Sequence, residues 1–308
     1  MDPRPSGLLI PITTPFDAHS GEVAPVSLRD NARALLDAGV DGILAAGSTG
    51  EAALLSEAEY RQVIGWLRDV VPDDKWLFAG AGKESTRATI AACEIASEEG
   101  ADAVLVRPPA YYGPSLPPQA LVEHFRRVAE DSPLPVLLYN IPKYTHVTLP
   151  DTLFAALVEH ENIVGAKDSS GDLKQFAAYR QAAPQWAMFV GSGSRYYAAL
   201  ELGAVGGILA VACYAAPIAV RVGQAFAQGD RAAAGAGQEA LTPLNQEIVQ
   251  KLGVPGVKAA MDAAGLVGGP CRPPLMDLAE ADRARVASQV AAALAAAGSG
   301  AVARARRN

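Results

Sequence analysis

Basic charge, cysteine and long apolar runs are all scarce in this sequence. Lysine and arginine together number 26 against 33 aspartates and glutamates, a formal charge of −7, so there is no basic footprint for nucleic acid. The one cationic cluster, Arg304, Arg306 and Arg307, sits in a small-residue tail and reads as a solvated end. The three cysteines, Cys93, Cys213 and Cys271, form no CxxC pair, which disfavours a disulfide framework and a zinc site and fits a reducing compartment. No apolar stretch approaches a membrane span, and the opening MDPRPSGLLIPITTPFD carries too short an apolar run for a secretory signal. The expectation is a cytoplasmic protein without a membrane or nucleic-acid partner. A GxGxxG turn after the first strand is missing too, which weighs against a doubly wound dinucleotide-binding sheet.

What is present is an enzyme-sized chain of 308 residues, 50% hydrophobic and 19% charged. Short apolar runs alternate with helical patterns: GLLIPITTPF, GVDGILAAGS, KWLFAGAG, ADAVLVRPP, LPVLLYNIP, NIVGAK, AMFVGSG and GGILAVAC. Between them, stretches such as SEAEYRQVIGWLRDVV and PQALVEHFRRVAED place apolar residues three and four apart, with charge opposite. Near-continuous apolar strands imply burial on both faces, hence a parallel sheet under helices. Eight such units predict an α/β fold, a (β/α)8 TIM barrel. From about residue 217 only helical patterns remain, so the sequence divides into a barrel with the active site (1–225), a small helical extension (226–297) and a disordered tail (298–308).

A TIM barrel carries its chemistry at the carboxyl ends of its strands. Those ends here offer Thr13 and Thr14, the loop Gly47-Ser48-Thr49-Gly50-Glu51, Tyr111 and Tyr112, Tyr139-Asn140, Lys167, Gly191-Ser192-Gly193, and Ile208 to Cys213. No His and carboxylate cluster of the kind that holds a catalytic metal stands among them. Lys167, in NIVGAKDSSGD, is a lysine closing an apolar run. Burial lowers a lysine pKa, and the neutral amine can attack a ketone to form a Schiff base. The alternative is a lysine snorkelling to solvent. Tyr139, closing VLLYN on the neighbouring strand, is placed to shuttle protons, or else is a packing aromatic. The GSTGE loop offers backbone N–H groups and two hydroxyls as a carboxylate cradle, or is only a turn.

Taken in order, PITTPF, GSTGE, the Tyr111-Tyr112 pair, YNIP, the strand-ending Lys-Asp-Ser and GGPCRPPL resemble the N-acetylneuraminate lyase and dihydrodipicolinate synthase superfamily. Its members are class I, Schiff-base enzymes acting on pyruvate and other 2-oxo acids. The resemblance implies that Lys167 forms the Schiff base, Tyr139 shuttles protons, Ser48 relays them and Tyr112 completes the relay from the neighbouring subunit of a tight dimer. It implies that Thr49 binds the pyruvyl carboxylate with Ile208 lining the same pocket, and that Gly50 and Gly191 belong with the substrate-binding residues. A homo-oligomer, a dimer of dimers, and no metal or organic cofactor are further implications.

Within the superfamily, dihydrodipicolinate synthases carry an arginine two residues after YNxP, where this chain has Tyr144, and read GTTGE rather than GSTGE. ESTRAT, NIVGAKDSSGD and the segment LGVPGVKAAMDAAGLVGGPCRPPL are most similar to 4-hydroxy-2-oxoglutarate aldolase, in which a serine matching Ser169 would bind the distal part of the substrate. That aldolase has Asn in place of Thr49. Aldolases for 2-keto-3-deoxy sugar acids share GSTGE and stay open, as do dihydrodipicolinate synthesis and a dehydratase or deaminase on the same imine. Lys143 and His146 would meet a second carboxylate or sugar hydroxyls, or stand exposed.

Overall fold

The computed structural model describes residues 4–298. Eight parallel strands close into a barrel in sequence order. They are β1 (Gly7–Pro11), β2 (Gly42–Ala45), β3 (Trp76–Gly80), β4 (Ala103–Val106), β5 (Val136–Asn140), β6 (Ile163–Asp168), β7 (Ala187–Val190) and β8 (Gly206–Ile208). The connecting helices are α1 (Pro25–Asp37), α2 (Glu57–Arg68), α3 (Thr86–Glu98), α4 (Pro118–Asp131), the single turn α5 (Pro142–Thr145), α6 (Asp151–Leu157), α7 (Leu173–Ala182) and α8 (Tyr196–Glu201). Beyond β8 come α9 (Ala212–Ala227), α10 (Arg231–Leu244), a π-helical stretch (Asn245–Gln250), α11 (Lys251–Ala263) and α12 (Glu280–Ala296). The tail expected over 298–308 lies outside the described residues, apart from Gly298.

The alternation of side chains along a strand separates two cores. Leu9, Leu44, Phe78, Leu105, Leu137, Phe189 and Ile208 fill the barrel interior. Ile10, Ile43, Leu77, Val104, Leu138 and Met188 point outward into the larger core beneath the helices. This is why the strands read as unbroken apolar runs.

Two boundaries move relative to the sequence pattern. β1 stops at Pro11, and Thr13 and Thr14 follow it as buried loop residues. Strand eight is only Gly206–Ile208; the remainder of GGILAVAC turns into α9, which begins at Ala212 instead of near residue 217. Pro217 lies inside that helix, and the backbone leaves helical geometry just before it, at Ala215 (φ −126°, ψ 33°), as the ring of a helix-interior proline requires.

The C-terminal helices are tied to the barrel behind the β2 loop. Lys258 of α11 pairs with the buried Glu51 at 2.5 Å, and the Arg272 backbone N–H donates to the other oxygen of Glu51 at 2.9 Å. The Arg272 guanidinium meets Glu59 of α2 at 2.6 Å and stacks on Phe16, whose ring also carries Lys258. Arg272 holds the Glu59 carboxyl down at about 2.

Candidate active site

Lys167 and Tyr139 are register partners on the adjacent strands β6 and β5. Gly165 and Lys167 share one face of β6 while Ala166 faces the helices, so Lys167 points into the barrel. It is buried, and its Nζ lies over the Tyr139 ring, 4.4 Å from the centroid. Contact with a ring face favours the ammonium by about 1–2 kcal/mol. Burial outweighs it and brings the amine down to about 7. Burial also pushes the Tyr139 phenol up to about 12, against the Ser169 and Ser48 hydroxyls, which favour its ionised form. The pair therefore stands near neutral pH as a partly deprotonated amine beside a protonated phenol.

A cavity of about 110 Å³ opens on this pair and is bordered by Ser48, Thr49, Ser169, Gly191 and Ile208. Gly191 is there for space. A Cβ at that position would overlap the Ser169 Oγ and come within 3.0 Å of the Lys167 Cε. Asp168, next along β6, faces away from the barrel, accepting from Asn140 Nδ2 at 2.8 Å and from the Ser170 hydroxyl at 2.8 Å. The Asn140 Oδ1 in turn accepts the Leu149 N–H at 3.0 Å, fixing the loop that follows β5.

Gly50 does not line this cavity, contrary to its placement among the substrate-binding residues. It sits buried behind the loop, its carbonyl accepting the Thr14 hydroxyl at 2.7 Å, and a Cβ there would press on the Ile12 carbonyl oxygen at 2.9 Å. Its part is to let the turn pack against the end of β1. Glu51 follows in the left-handed region (φ 57°), which swings its carboxylate back toward Lys258. Tyr112 is likewise not brought to the Lys167 cavity within this one chain. It and Tyr111 project from the loop after β4, 71% and 79% exposed, with rings edge to face 4.8 Å apart. Glu84 anchors that loop by accepting the Ala110 and Tyr111 backbone N–H groups, both at 2.9 Å. Of the two loop residues after β5, Lys143 reaches the cavity and His146 is exposed, in the left-handed conformation (φ 55°).

Several cavity residues come from the segment read as a mere extension. Asn245, Val249, Gln250, Gly253, Val254 and Val257 close the mouth over Lys167. Asn245, buried, donates to the Ser194 hydroxyl at 2.7 Å. Ser192 also lines the cavity, and among the described residues its buried hydroxyl has no hydrogen-bond partner. Gly-Ser-Gly at the end of strand seven was its only sequence signal; nothing in the helical periodicity of 245–257 signals a face turned toward the barrel.

A closed parallel barrel with a buried lysine and a tyrosine paired at its carboxyl end is the frame of a class I lyase. Residues 4–293 match the dihydrodipicolinate synthetase family, and the chain belongs to that family, whose members are class I pyruvate-dependent carbon–carbon lyases. Among similar proteins, a 4-hydroxy-tetrahydrodipicolinate synthase of Synechococcus sp. (strain CC9605) is 37% identical over 96% of this chain and 97% of its own. An uncharacterized DapA-like lyase of Halobacterium salinarum is 36% identical over 92% of this chain and 93% of its own. Among solved structures, the chloride-inhibited dihydrodipicolinate synthase of Acinetobacter baumannii complexed with pyruvate superposes with a TM-score of 0.87 at 31% identity, covering 95% of this chain and 99% of that one. YagE of E. coli K12, also in complex with pyruvate, gives 0.88 at 26% identity over 94% and 98%.

Proposed function

We propose that this lyase cleaves a 4-hydroxy-2-oxo acid to pyruvate and an aldehyde through a Schiff base on Lys167. The observation that carries the reading is the buried Lys167 amine, brought to about 7 and held over Tyr139 at a cavity rimmed by small hydroxyl side chains. The pyruvate complexes of the two neighbouring structures support it.

The neutral amine attacks C2 of the substrate and gives a carbinolamine. The Tyr139 phenol protonates the departing hydroxyl, water leaves, and a protonated imine forms. The resulting phenolate takes the proton of the C4 hydroxyl. The C3–C4 bond breaks, its electron pair passes into the imine, and an aldehyde and the enamine of pyruvate result. Protonation at C3 and hydrolysis return the amine and release pyruvate. Ser48 and Ser169, the two hydroxyls that act on the Tyr139 phenol, carry its proton onward and orient the C4 substituent. Thr49, at the cavity wall, meets the carboxylate with its backbone N–H.

Trapping tests this. Incubation with pyruvate and borohydride should add one reduced pyruvyl group to the intact mass. An unlabelled protein, or an adduct that persists in Lys167→Ala, sinks the proposal. The names of the relatives favour a second reading, condensation of pyruvate with aspartate semialdehyde. Tyr144 stands where that reaction's arginine is expected, so consumption of aspartate semialdehyde should be at least about a hundredfold slower than cleavage, a site built for a charged group being unforgiving of its loss.

A further inference from the structure

The cavity at Lys167 continues outward into a cleft of about 630 Å³, and the two share Ser48, Tyr139, Lys143, Tyr144, Gly253 and Val254. The smaller compartment takes the 2-oxo acid head. Whatever hangs on C4 must extend past Tyr139 and Tyr144 into the larger one. Its walls are strongly apolar, with Leu54 from the β2 loop, Leu105 from β4, Leu252 and Val254 from α11, and Leu275 from the segment before α12.

Four of the five charged side chains at this cleft are paired with a side chain of opposite sign, Lys143 being the exception. Glu84 pairs with Arg107 at 2.8 Å and accepts two backbone N–H groups. Lys251 pairs with Glu247 at 2.6 Å, and Glu51 with Lys258 at 2.5 Å. Lys143 is turned onto the Gln250 carbonyl at 2.9 Å. A carboxylate or a polyol chain passing beyond Lys143 into this space would lose water without gaining comparable partners. An alkyl or aryl group would bury itself against leucine and valine and gain the free energy of removing its apolar surface from water.

We infer that the group carried on C4 is apolar, so that the aldehyde partner is aliphatic or aromatic and not glyoxylate or a sugar aldehyde. This rests on the Schiff-base reading of Lys167 and narrows its substrate class. It turns away from the dicarboxylate that the sequence resemblance favours, because that resemblance lies in scaffold segments and the one cation of the cleft without a carboxylate partner among the described residues, Lys143, stands exposed at the junction with the smaller cavity and not among the apolar walls beyond it.

The test is aldol addition to pyruvate, followed by aldehyde consumption, with benzaldehyde and isobutyraldehyde set against glyoxylate and glyceraldehyde. The apolar pair should be favoured in kcat/KM by at least about tenfold, the discrimination that a single methylene can give in an apolar pocket. Leu252→Arg should shift the ratio toward glyoxylate by about tenfold or more, while its borohydride-trapped pyruvate adduct reports that the variant is folded. Preference of the wild type for glyoxylate or glyceraldehyde, or an unmoved ratio in a Leu252→Arg variant that still forms the adduct, overturns the inference alone. Absence of the adduct in the wild type overturns the Schiff-base reading and this inference with it.

Discussion

The amine of Lys167 must be neutral to attack a carbonyl, and burial brings it to about 7 from an ordinary value of 10.5. The rate of adduct formation with pyruvate should therefore rise through a single limb centred near 7, measured by quenching with borohydride across a pH series; a limb above about 9 would place the amine in a wet site. Between about 7 and 10.5 the unfolded chain holds a proton on this lysine that the folded chain has lost, so its contribution to stability grows with pH across that window. Lys167→Met should accordingly raise Tm more at about pH 6 than at about pH 10. Gly191→Ala tests the space beside the amine. The added methyl displaces Ser169 or tilts Lys167, and kcat/KM should fall by about a hundredfold, the cost of misplacement on the ångström scale, with Tm little changed. Lys167 and Tyr139 were legible from sequence because a charged and a phenolic residue each close an apolar strand. Why Gly191 must be glycine was not, since the crowding comes from β6 and depends on register. The part of Gly50 in shaping its loop was legible, but which side of that turn faces the cavity was not, because it depends on how the turn packs against the end of β1.

Between elements, the tie joining α2, the β2 loop and the C-terminal segment is made of charge. Arg272 serves Glu59, the Leu54 carbonyl at 3.2 Å and the Gly21 carbonyl at 2.7 Å, and stacks on Phe16. Arg272→Ala leaves Glu59 poorly solvated and should cost about 2–4 kcal/mol of stability in urea unfolding; a loss below about 0.5 kcal/mol would show an ordinary surface pair. The Glu59 carboxyl is held near 2 against an ordinary 4.5, so its contribution is present above about 4.5 and is lost as pH falls toward 2. Glu59→Gln should flatten that part of the acid limb. The capping box at Ser56 and Glu59 that starts α2 is a sequence-local signal. The partnership of Glu59 with Arg272 spans most of the chain and has no local signature. For the same reason the face of α11 that looks into the mouth stayed hidden: its path turns on Gly253, at φ 63° and ψ −146°, with Pro255 two residues on.

At the scale of the whole molecule the order of strands was legible, since eight apolar runs alternating with amphipathic helices leave few parallel arrangements. Assembly was less so. Tyr111 and Tyr112 stand together in the solvent, a cost for two large rings unless another surface covers them. We expect sedimentation velocity to show a dimer or larger species, with Tyr112→Ser lowering both association and turnover; a fully active monomer would remove the cross-subunit relay. The closing of the mouth by residues 245–257 has a consequence for how such an enzyme can change. The groups that would make and break the imine stand on β5 and β6, whereas much of the wall facing the rest of the substrate is contributed by helices that follow the last strand. A library varied only at Leu252 and Leu275, which line the outer cleft and not the Lys167 cavity, would sample new aldehydes on an untouched reaction centre, and selection could act on one without retuning the other.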